Sequence, residues 1–180
     1  MALGQDPLVT IRDGECAVKC RAMGFDLVVS TRQRPADLAT RWEEALAAQG
    51  LQVEIYPGFD LASSKGGFVP FRLDSAPRSL IGMDLTGPNV TGFELYADKR
   101  EVTLTTRYPP LIAEVTMQCL GAATLAAITG GTYEDPQRGA RYKGPDAIEA
   151  ALEQIAKVVA SAKSSAFIQH PFPGWAALGV

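Results

Sequence analysis

Few residues in this chain are of types that do chemistry, and their spacing decides among them. The one histidine, His170, lies between Gln169 and Pro171 near the C-terminus, so a serine–histidine or cysteine–histidine relay would have to form on a terminal segment. A lone histidine cannot build the usual histidine-rich catalytic zinc site, and neither HExxH nor paired CxxC spacing occurs. We therefore expect no metal and no cofactor. Cys16, Cys20 and Cys119 form an odd set, and Cys16/Cys20 lacks the two further ligands of a structural zinc site. Reduced thiols are the expectation, with a Cys16/Cys20 redox switch as the alternative.

Two other constellations read more simply as structure. Ser63-Ser64-Lys65-Gly66-Gly67 has the small and cationic residues of a phosphate cradle, but its spacing is not that of a P-loop. It also leads into the strand-like FVPFRL rather than a helix, so an inter-strand loop is expected. Glu43/Glu44, Glu134/Asp135 and Glu94 with Asp84 are the possible acid–base pairs. Neighbouring side chains diverge by about 100° on a helix and point to opposite faces on a strand, so Glu43 and Glu44 should form a solvated helix face.

The densest polar and aromatic stretch is Tyr133-Glu134-Asp135-Pro136-Gln137-Arg138, followed by Arg141, Tyr142 and Lys143. Turn chemistry accounts for Asp-Pro and Arg-Gly. Tyrosine and arginine on loops are also the residue types that most often anchor protein interfaces. The expected partner-binding residues are Tyr133, Glu134, Asp135, Arg138 and Tyr142, with Asp60 from the small-residue loop that follows Pro57-Gly58.

The elements that must position these residues follow from periodicity. GFDLVVS, 24–30, is a strand, and Pro35 opens an amphipathic helix over 35–49 that presents Leu38, Trp42, Ala45 and Leu46 and stops at Gly50. Leu51, Val53 and Ile55 alternate with polar residues as a half-buried strand. Further strands are expected at 68–73, where Pro70 marks an edge or bulge, and at 79–85, 91–97 and 101–107, joined as antiparallel hairpins. The alanine-rich segment 111–128 reads as the buried central helix. Residues 132–139 form a turn-rich connection with room for one short strand, and Gly144-Pro145 starts a last helix whose stripe is Ile148, Leu152, Ile155 and Val159. The result is an α+β fold: an antiparallel or mixed sheet of about five strands, with three main helices packed largely on one face. It should occupy 1–162 as a single domain. The segment 163–180 is a tail whose Phe167, Phe172 and Trp175 either dock on the body or await a partner.

Composition narrows the function classes. The net charge is −3 with no long block of either sign, so nucleic acid is not an expected partner. No apolar run reaches membrane-spanning length, and MALGQDPLVTIRDGE has acidic residues and no signal-type apolar core, so a soluble cytoplasmic protein is expected.

The run GFELYADKREVTLTTR, the helix ending LAAITGG and the connection TYEDPQRGARYKG resemble the cytoplasmic immunity proteins that accompany bacterial polymorphic and type VI secretion toxins. The resemblance covers about 92–144. It implies a non-enzymatic toxin inhibitor in bacterial competition, whose partner is a cognate toxin or effector occluded by direct binding; no site residue is carried over. Two other classes stay open. One is an enzyme or small-ligand binder with a pocket on the open sheet face beside the 63–67 loop. The other is a structural subunit whose aromatic tail docks on an oligomer partner.

Overall fold

The computed structural model describes residues 24–61, 66–107 and 109–179. Chain order gives β1 (Gly24–Ser30), α1 (Leu38–Ala47), β2 (Gln52–Ile55), β3 (Gly67–Ser75), α2 (Arg78–Ile81), β4 (Asn89–Ala97), β5 (Glu101–Arg107), α3 (Ile112–Ile128), β6 (Thr132–Asp135), β7 (Ala140–Tyr142) and α4 (Pro145–Ser161). Two short 3₁₀ turns, Ser164–Ala166 and Trp175–Leu178, lie in the tail. The strands form one seven-stranded sheet in the order β2-β3-β4-β5-β1-β6-β7, and every pairing is antiparallel.

The fold is α+β, as its patterning predicts, with two differences in the strands. The segment 79–85 is not a strand: Pro77 precedes the single turn of α2, and Gly82 ends it with φ +72°, a left-handed conformation that glycine adopts without strain. The connection after α3 holds two strands instead of one, because the Asp135 carboxylate accepts the N–H groups of Gln137 and Arg138 and closes a hairpin between β6 and β7.

α3 is apolar on nearly every side and lies against β4, β5, β1 and β6, flanked by α1 and α4. Glu114 accepts the Leu111 N–H at 3.1 Å and caps its start. Two polar side chains lock the layers. Gln118, fully buried, donates to the carbonyls of Phe25 (2.6 Å) and Leu104 (2.7 Å) and accepts from the Thr106 hydroxyl (2.8 Å), tying α3 to β1 and β5. Trp42 of α1 donates its indole N–H to Gly121 O (3.0 Å) and Thr124 Oγ1 (3.1 Å), and its ring packs on Phe59, Phe71 and Phe93. Glu43 also departs from the solvated face expected of it: its carboxylate accepts the Ile55 N–H at 2.7 Å and ties α1 to β2.

Pro70 lies in β3, an interior strand. It sits one residue past the last β2 pair, Ile55↔Phe71, and opposite Gly92 of β4; its carbonyl accepts the N–H of Tyr56 just beyond β2. Its nitrogen faces the end of β2 beside Tyr56, away from β4, so the proline removes only the reciprocal bond to Tyr56 and none from the β3–β4 ladder.

The tail docks on the body. Phe167 packs where a Cβ on Gly82 would stand, 2.2 Å from its ring. The Gln169 carboxamide accepts from the backbone N–H and hydroxyl of Thr86 and donates to Asp84 O. His170 O accepts the Val90 N–H at 2.8 Å and the Phe172 N–H reaches Pro88 O at 2.9 Å, making an antiparallel bridge Asn89↔Pro171. Beyond it, Trp175 stacks edge-on with Tyr56 and Phe172 and donates to Glu54, and the Arg72 guanidinium lies over Phe172.

Candidate binding face

Strand alternation divides each strand between two environments. Phe25, Leu27, Val29, Phe93, Leu95, Val102 and Leu104 face the helices. The opposite face has no helix on it among the described residues, and its pairings set side chains in rows. One row runs Tyr96, Thr103, Val28, Glu134, Arg141 across β4, β5, β1, β6 and β7. The next runs Phe68, Glu94, Thr105, Asp26 across β3, β4, β5 and β1. The docked tail covers the end of this face at Glu54, Tyr56 and Arg72.

Polar pairs knit the rows together. The guanidinium of Arg107 meets Glu94 Oε1 through Nε (2.7 Å) and Nη2, and the Tyr96 hydroxyl donates to Glu94 Oε2 at 3.2 Å. That bond to a carboxylate, reinforced by its charge, pushes the Tyr96 hydroxyl's pKa upward. Thr105 donates to Asp26 at 2.6 Å, and Arg141 pairs with Glu134 at 2.8 Å. Phe68 and Tyr96 stand out of this polar field 54 % and 50 % exposed, at positions where alternation would place polar side chains.

β4 pairs with β5 only over Glu94–Ala97, although β3 holds β4 down to Asn89 and β1 holds β5 down to Arg107. Below Glu94 the two strands part, and the tail's bridge to Asn89 closes the far end of the gap. Between these limits lies a cavity of about 290 Å³ bordered by Phe68, Gly92, Glu94, Thr105, Arg107 and Glu114. Gly92 is required here: a Cβ would stand 2.2 Å from Val69 O and 2.8 Å from the Phe68 ring.

The six residues expected to bind a partner do not gather in one place. Asp60 is exposed in the loop after β2. The antiparallel registers put that loop at the opposite end of the sheet from the β6–β7 turn, and near the opposite edge. Glu134 lies on the open face, Arg138 is exposed in the β6–β7 turn, and Tyr142 is half-buried. Tyr133 and Asp135 are buried, each 1 % exposed, and offer a partner no side-chain surface. Alternation in TYED turns both inward: the Tyr133 ring lies against Tyr142 and its hydroxyl donates to Gln154, while Asp135 closes the hairpin. Burial drives the Tyr133 hydroxyl and the Cys119 thiol pKa values far upward, keeping both groups neutral.

His170 is exposed and is held through its backbone in the tail's bridge. Cys119 is a free buried thiol; Cys16 and Cys20 lie outside the described residues, as do Ser63, Ser64 and Lys65 of the candidate loop pocket. Among the described residues no group of three or more histidine, cysteine, aspartate or glutamate side chains is placed to hold a metal ion, and no helix is long and apolar enough to cross a membrane. Phe68, Tyr96 and Arg107 were not among the expected site residues, and Glu94 was considered only as an acid–base partner of Asp84, which instead pairs with Arg78. The signal for them was an aromatic with the parity of polar neighbours, as Tyr96 has with Glu94.

The chain matches no protein-family model, no curated protein and no solved structure.

Proposed function

We propose that this chain is a cytoplasmic immunity protein that binds a cognate bacterial toxin directly and stoichiometrically, occludes its active site and performs no catalysis. The reading rests on the resemblance of 92–144 to such proteins, and one structural observation carries it physically. That observation is a sheet sealed by helices on one face and presenting, on the other, exposed Phe68 and Tyr96 beside the Glu94–Arg107 and Glu134–Arg141 pairs. Aromatic and arginine side chains anchor interfaces, and polar pairs around them confer register and specificity. Glu134 and Arg138 extend the same surface toward the β6–β7 turn, whereas Asp60 lies off it.

Toxin activity titrated with this protein tests the mechanism. Inhibition should be complete at a fixed molar ratio, and protection at far substoichiometric amounts would replace binding with an enzymatic mechanism. Replacing Tyr96 or Glu134 by Ala should weaken the complex by about 2 kcal/mol, roughly thirtyfold, with the free protein still folded. Asp60→Ala should change affinity much less; a comparable loss there would move the interface to the other end of the sheet.

A further inference from the structure

The cavity where β4 and β5 part is bordered by backbone donors and acceptors and by two carboxylates. Val90 directs its N–H away from β3 to His170 O, and strand alternation turns the N–H and C=O of Gly92 to the same side, into the gap. Glu94 faces Thr105 in the ladder, and the same alternation along β5 aims the N–H and C=O of Arg107 into the gap from the other side. The carboxylates of Glu94 and Glu114 border it too, and the Phe68 ring forms one wall. At about 290 Å³ the space lies at the small end of ligand pockets and suits one long side chain better than a cofactor.

The molecule shows which chemical group this border selects. The guanidinium of its own Arg107 rests on Glu94 at the mouth, although that side chain is 79 % exposed. The two inward N–H groups offer nothing to a cation, but the two carboxylates repel an anion and, with the two inward carbonyls and the aromatic ring, complement a planar cation with five donors better than an ammonium or an apolar group. We infer that this cleft is a receptor site for an arginine side chain of a partner protein, which enters beside Phe68 and displaces Arg107 from Glu94. The inference deepens the proposed function and rests on its claim that the open face binds protein.

The test uses the full chain, ¹⁵N-labelled, titrated with N-acetyl-L-arginine methylamide and observed by amide chemical shifts. Saturable shifts at Gly92, Glu94, Thr105 and Arg107 are expected, with the leucine and glutamate analogues at least tenfold weaker. Phe68→Ala and Glu94→Gln should weaken the arginine probe several-fold. Arg107→Ala should instead tighten it about twofold to fivefold, because an exposed internal ion pair that competes with the probe is worth at most about 1 kcal/mol. A structural role for Arg107 alone would not produce that gain. Absence of saturable shifts, equal response to the leucine analogue, or unchanged or weaker binding in Arg107→Ala overturns the proposal. None of these readouts involves a toxin, so failure of the site and failure of the inhibitor function remain distinguishable.

Discussion

On the helix-covered face of the sheet, Leu27, Leu95, Val102 and Leu104 lie in a layer completed by Trp42 and the apolar surface of α3, each less than 2 % exposed. One residue away along the same strands, Asp26, Val28, Glu94, Thr103 and Thr105 form a half-exposed surface of hydroxyls, charges and one aliphatic side chain. The backbone is common to both faces, so the difference isolates what packing contributes. Polar groups on the covered face are few, and two of them, Gln118 and Trp42, each solve a specific geometric problem. Polar groups on the open face pair with one another across strands and stay accessible, which is the condition for exchanging an internal partner for an external one.

The sharpest way to break this comparison is to truncate one aromatic on each face. Trp42→Ala removes a fully buried ring in contact with Phe59, Phe71 and Phe93 and leaves Gly121 O and Thr124 without their indole donor. It should cost about 3–5 kcal/mol, which lowers Tm by about 10 °C or more. Phe68→Ala on the open face should stay within about 1 kcal/mol of the parent. Thermal unfolding of the two variants side by side decides it, and comparable losses would mean that the open face is part of the core.

A smaller effect is expected from Gln118→Leu, which keeps bulk at the α3–sheet contact and removes both donors and the acceptor. The Thr106 hydroxyl, 3 % exposed, loses its acceptor, and the carbonyls of Phe25 and Leu104 lose a donor. A loss of about 1–3 kcal/mol should appear as a lower urea midpoint with an unchanged slope. A neutral result would mean that Gln118 is tolerated in the core and does not tie the layers together.

These side chains also show how far the sequence could be read. β-rich composition located β1, period-2 alternation β2 and the spacing between turns β5, and the apolar stripe with Gly144-Pro145 located α4, because in each one face is buried and the other wet. The segment 79–85 misled because Leu80, Ile81 and Leu85 satisfy a strand as readily as a helical turn, and the bracketing Pro77 and Gly82 outweigh them. The tail has no period because it is held by single hydrogen bonds from Gln169, His170 and Phe172, a kind of contact that leaves no repeat in the residues. At the site, composition drew attention to Tyr133 and Asp135, whereas alternation assigns them inward and Glu134 outward. The cavity at Gly92 was illegible, since it depends on β4 exchanging one pairing partner for the tail.

The smallest expected effect belongs to the β4–β5 turn at the top of the open face. Asp98 accepts the backbone N–H groups of Arg100 and Glu101 through Oδ1, at 3.0 Å each, and these bonds hold its carboxyl below the usual 3.8, with Arg34 adding a minor attraction. A carboxyl whose pKa is depressed by folding contributes stability that is fully present above its unfolded value. That contribution is lost as pH falls through the lower folded value. Asp98→Asn keeps an oxygen acceptor for both N–H groups but cannot titrate, so the parent should be slightly the more stable above about pH 5 and lose that advantage as pH falls below 3.8. Urea midpoints of the two proteins across this range should converge on acidification. Curves that stay parallel would show that the ionised carboxylate adds nothing to the turn beyond its geometry.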